Sequence, residues 1–114
     1  MSGYNPTEEE LERTMKEVKD LFRRYDYPMT PELFQKLLAE YRANADKKGD
    51  SWRSQCSLDF LIGKLAEEYN EITDEWMQVE KPNWTKIAEE CLDLILVAAM
   101  IHERIMAFKQ TKAN

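Results

Sequence analysis

Four acidic residues stand in two pairs of equal spacing, Glu68 with Glu71 and Glu90 with Asp93. Acids three residues apart lie on one side of a helix, about 60° apart around its axis. Alone, Glu68 and Glu71 read more readily as part of a solvated face; that reading is weaker for Glu90 and Asp93, because an apolar run surrounds Asp93. Four carboxylates brought together either raise their pKa values or recruit a cation. Oxygen-only ligation points to Mg²⁺, with Mn²⁺ as a substitute, and away from zinc. Mg²⁺ keeps waters and shares its shell with substrate phosphates, so phosphate chemistry is expected over a purely structural ion. Other metals lack ligands. Cys56 and Cys91 form no CxxC pair and His102 is the one histidine, which argues against zinc. A ferritin-like di-iron site needs Glu-x-x-His from two helices, and position 99 is Ala.

The elements that must position these acids are helical, since apolar residues recur at three and four and no strand alternation is present. The first helix is expected from about Thr7 to Tyr25, with Thr7 and Glu10 at capping-box spacing and a stripe of Leu11, Met15, Val18 and Phe22. The second is expected from about Pro31 to Asp46, capped by Thr30, with a break at Lys47–Lys48–Gly49–Asp50. The third runs from about Ser57 to Met77, with Leu58, Leu61, Leu65, Tyr69, Ile72 and Trp76 on its stripe. A loop around Pro82 leads to a fourth from about Trp84 to Lys109. The first few and last four or five residues are expected to fray.

The third and fourth helices fold as an antiparallel hairpin about that loop. A pivot between Glu80 and Lys81 sets Glu68 level with Asp93 and Glu71 level with Glu90. The same pivot sets Lys86 level with Glu75, as an ion pair. Asp93 lies inside Cys91–Ile101, a run apolar on nearly every face. A helix of that kind is expected to be surrounded by other helices, which one small protomer hardly supplies, so a homodimer or homotetramer is expected with this helix central.

Bulk properties bound the rest. At 114 residues the chain is one domain, expected to be an all-α, four-helix bundle-like protomer. The net charge of −6 argues against binding a nucleic acid polymer, though not against a nucleotide held through a cation. The apolar run is too short to span a bilayer, no signal peptide is evident, and a soluble cytoplasmic protein is the expectation.

The stretch Lys64-Leu-Ala-Glu67-Glu68-Tyr-Asn-Glu71, then eighteen residues, then Glu90-Cys-Leu-Asp93, resembles the MazG-like all-α nucleoside triphosphate pyrophosphatases, relatives of the dimeric dUTPases and dCTP pyrophosphatases. The resemblance covers about residues 50 to 105, with the first helix outside it. It implies hydrolysis between the α- and β-phosphates, giving a nucleoside monophosphate and pyrophosphate. It implies that Glu68, Glu71, Glu90 and Asp93 hold Mg²⁺, which orients the attacking water. On this resemblance Lys64 reaches a phosphate oxygen, Glu67 assists the metal ligands or polarises the water, and Trp52 stacks on the base. Trp76 and Trp84 read as structural. The family places Asn and Arg seven and ten residues beyond its Asp, where this chain has Met100 and Glu103. His102 and Arg104 stand nearby as substitutes, Arg104 as a substrate-binding residue. Two other readings keep the residues but change the function. One is a non-enzymatic helical interaction module with a structural ion. The other is the same fold acting on a different pyrophosphate.

Overall fold

The computed structural model describes residues 6–48, 52, 55–78 and 80–113. It holds four helices: α1 (Glu8–Tyr25), α2 (Pro31–Lys48), α3 (Leu58–Trp76) and α4 (Trp84–Ala113). No strand occurs among the described residues, so the chain is all-α. α2 runs on through Lys47 and Lys48, the first two residues of the expected break; the rest of that stretch, Gly49–Asp50, and the first residues of the chain lie outside the described residues.

The helices begin where polar caps meet orphan backbone donors. Thr7 Oγ1 accepts from Glu10 N at 3.1 Å, Thr30 Oγ1 from Leu33 N at 3.0 Å, and Ser57 Oγ from Phe60 N at 3.0 Å. In the first cap the Glu10 carboxylate receives the Thr7 hydroxyl, at 3.3 Å. α1 ends on Asp26 in the left-handed region (φ 55°), whose N–H closes on Phe22 O. α4 continues to Ala113, past the expected end at Lys109. Gln, Thr, Lys and Ala there contain no breaker, and three of the four favour helix.

α3 and α4 form the expected antiparallel hairpin, and α2 lies against α4. At its turn Lys86 Nζ meets Glu75 Oε2 at 3.5 Å, the pair set level by the pivot. Asn83 N donates to the other Glu75 oxygen at 3.2 Å. Trp76 and Trp84 meet edge to face, ring centres 5.6 Å apart.

The core is small. Among the described residues the buried apolar side chains are Leu61, Val97 and Ile101, with Trp52, Cys56 and Leu65 packed against them. No residue of α1 is buried. The apolar run of α4 is mostly half-covered, and Ala98 and Ala99 are exposed. The radius of gyration is 16.6 Å, against about 13 Å for a compact domain of this length. No helix among the described residues is long and apolar enough to cross a membrane.

Candidate metal centre

The hairpin brings the carboxylates together through helix geometry alone. Glu68 and Glu71 face inward from α3, Glu90 from α4, and one oxygen from each lies within 4.8 Å of the others. Two oxygens bound to one Mg²⁺ at about 2.1 Å stand at most about 4.2 Å apart, so small side-chain adjustments would close the three acids on an ion.

Burial is graded across this trio. Glu68 is 6% exposed, Glu90 half-buried and Glu71 exposed. Glu68 Oε2 is buried and has no hydrogen-bond partner. A buried carboxylate oxygen without a donor is costly unless something positive meets it. Lys64 Nζ lies 3.8 Å from the other oxygen, Oε1, and 3.4 Å from Glu67 Oε2. It gives Glu68 partial relief and leaves Oε2 unmet.

The electrostatics record the crowding. Glu90 is pushed up from its ordinary 4.5 to about 7, first by its hydrogen bond to Glu71, then by burial and by the charges of Glu71, Glu68 and Asp93. Burial, with Glu71 beside it, raises Glu68 while Lys64 pulls it back. Asp93 is pushed up from 3.8 to about 6, by burial first and then by a hydrogen bond to Glu40 and its charge, with Glu68 and Glu71 adding to it. Crowded carboxylates of this kind favour their protonated forms.

Glu40 was not evident in the sequence. It comes from α2, and it takes the hydrogen bond of Asp93 that the hairpin register alone would have assigned toward Glu68. Asp93 is therefore outside the close trio, although it feels the charges of Glu68 and Glu71. The candidate centre is a trio with a carboxyl pair beside it, five acids from three helices.

Beside the acids a cavity of about 500 Å³ opens. Glu40, Glu68 and Asp93 line it with carboxyl groups and Lys64 with an ammonium, and Trp52, Phe60, Leu96, Val97 and Met100 give it apolar walls. Tyr41 and Asn44 add polar groups from α2. Glu68 thus belongs both to the trio and to the cavity.

Comparison with known proteins adds nothing to this geometry. No protein-family model matches the chain, and neither curated proteins nor solved structures give a match.

The remaining sequence-derived residues separate clearly. Lys64 and Trp52 line the cavity. Glu67 is exposed, paired with Lys64, and lies in neither the trio nor the cavity lining. Arg104 Nη1 donates to the carbonyl oxygens of Trp52 and Cys56, at 2.7 and 2.6 Å, and does not line the cavity. His102 is exposed, 3.6 Å from Glu103. Met100 presents an apolar wall where the family pattern has an amide.

Proposed function

We propose that this chain is a Mg²⁺-dependent nucleoside triphosphate pyrophosphohydrolase of the MazG-like kind, working as a homo-oligomer in the cytoplasm on the nucleotide pool. The observation that carries the reading is the buried, partnerless Oε2 of Glu68, a residue that belongs both to the converging trio and to a cavity of about 500 Å³. Its donor set is all oxygen, which suits Mg²⁺ or Mn²⁺. The resemblance around Glu68–Glu71 and Glu90–Asp93 supplies the reaction.

A bound Mg²⁺ supplies charge neutralisation on phosphate oxygens and lowers the pKa of a bound water. Glu68, Glu71 and Glu90 would hold it, with Asp93 completing the acid set from the cavity side. Lys64, at the cavity rim, offers a point charge to a phosphate oxygen. Water adds to the α-phosphorus, the bridging bond to the β-phosphate breaks, and pyrophosphate leaves with the bond's electron pair. The water's proton needs an acceptor facing the cavity. Glu40 lines the cavity and is not among the acids assigned to the ion, whereas Glu67 lies outside the cavity lining. Trp52 and Phe60 offer aromatic faces for a base.

The homo-oligomer is supported by the size of the core. Three buried apolar side chains among the described residues hardly support a stable domain of this length, and Leu11, Phe60, Ile62, Trp76 and Phe108 are all exposed. The net charge of −6 keeps nucleic acid polymers out of the reading.

The test is product identity. Purified protein, Mg²⁺ and a panel of ribo- and deoxyribonucleoside triphosphates are followed by ³¹P NMR. The expected products are a nucleoside monophosphate and pyrophosphate. A diphosphate with inorganic phosphate, or no turnover on any nucleotide, would overturn the reading.

A further inference from the structure

Trp52 and Cys56, ahead of α3, are held by one side chain far away in sequence. Arg104, half-buried on α4, donates both hydrogens of Nη1, one to Trp52 O at 2.7 Å and one to Cys56 O at 2.6 Å. Both carbonyls lie outside the four helices, where no regular ladder serves them. Bonds from a guanidinium are charge-assisted and stronger than neutral ones. The Trp52 ring is held separately, its Nε1 donating to Tyr41 Oη of α2 at 3.3 Å. Its body packs on the core of Leu61, Val97 and Ile101. Trp52 is thus fixed by α4 through its backbone and by α2 through its ring, and it lines the cavity while Arg104 does not.

We infer that Arg104 is a positioning residue: its clamp on Trp52 O and Cys56 O fixes the Trp52 ring as a wall of the cavity and so sets the affinity for an aromatic ligand it never touches. A wall held in place before binding costs less ordering when a planar ring arrives against it. Two bonds from one nitrogen of a planar, rigid guanidinium fix its orientation better than a flexible lysine ammonium would. That the aromatic ligand is a nucleobase rests on the pyrophosphatase reading; the clamp does not.

The experiment has one arm for each. Trp76→Phe with Trp84→Phe leaves Trp52 as the one remaining tryptophan of three. In that background Arg104→Ala roughly doubles acrylamide quenching of Trp52 and shifts its emission to the red, because the segment opens locally. Arg104→Lys falls between Arg104→Ala and the parent, while far-ultraviolet circular dichroism keeps its helical content. In steady-state hydrolysis Arg104→Ala raises KM about tenfold and leaves kcat within about twofold, the pattern of lost uniform binding. Unchanged quenching in Arg104→Ala, or a fall in kcat at constant KM, would overturn the inference. Should Arg104→Ala lose its helices, Arg104→Lys carries the same readouts, with smaller expected changes and the same overturning result. A parent that hydrolyses no nucleotide defeats the pyrophosphatase reading, and the quenching arm still decides the clamp.

Discussion

In α3 the Glu68 carboxylate is 6% exposed, whereas in α1 Leu11 is 51% exposed and no residue is buried. One helix hides a charge and the other shows its apolar stripe. Folding alone rewards neither arrangement, since buried charge is costly and exposed apolar surface forgoes its transfer energy. Each therefore points beyond the protomer. The hidden carboxylate points to a cation and the bare stripe to a covering chain. The two needs differ in kind, so they respond to different perturbations.

The largest effect is expected on the acid side. Glu71→Gln removes one arm of the trio and lowers the rate of pyrophosphate release by about 10²–10³-fold, the scale of losing several kcal/mol of charge stabilisation. A rate kept within a few-fold would break the assignment of Glu71.

Next comes the core that holds α3 against α4. Leu61 is 3% exposed, and Leu61→Ala costs about 2–5 kcal/mol in chemical denaturation. The comparison sharpens with α1. Leu11→Asp combined with Phe22→Asp lowers the solution mass of the assembly, read by light scattering against multiples of 13.5 kDa. A wild-type protein that is already 13.5 kDa at micromolar concentration would show that the α1 stripe stays bare.

A smaller effect follows from pH. Glu90 rises from 4.5 to about 7 and Asp93 from 3.8 to about 6 on folding. Folding therefore favours their protonated forms. Their stabilisation of the metal-free protein is complete below about pH 4 and is lost as pH rises to about 7. A cation needs the deprotonated acids, so the gain in melting temperature from Mg²⁺ grows over the same window. A gain that is flat from pH 5 to 8 would separate the acids from the ion. The smallest effect belongs to the hairpin turn. The Lys86 side chain is 55% exposed, and Lys86→Ala costs less than about 1 kcal/mol.

What was legible in the sequence was local or carried by one loop. Thr7, Thr30 and Ser57 mark helix starts because a capping oxygen and its donor are three residues apart. The hairpin register follows from a short loop, so Glu71 meets Glu90 and Lys86 meets Glu75 as the pivot requires. Glu40 was not legible, because α2 reaches the hairpin through a connection whose path no local pattern sets. Arg104 had the right charge for a phosphate and gave no sign that two carbonyls about fifty residues earlier would claim it. The apolar run of α4 signalled a need for cover without saying what supplies it. Its half-covered state in the protomer is the same shortage that α1 shows.

The central claim is that the trio around Glu68 holds a divalent cation. Electron paramagnetic resonance of Mn²⁺, titrated with protein at pH 7.5, tests it most directly because the free aqueous ion gives a strong signal that binding removes. The account predicts that wild-type protein depletes this signal at a fixed stoichiometry, while Glu68→Gln, folded and with a raised metal-free melting temperature, leaves it nearly intact. A wild-type protein that leaves the Mn²⁺ signal whole in the absence of nucleotide would contradict it.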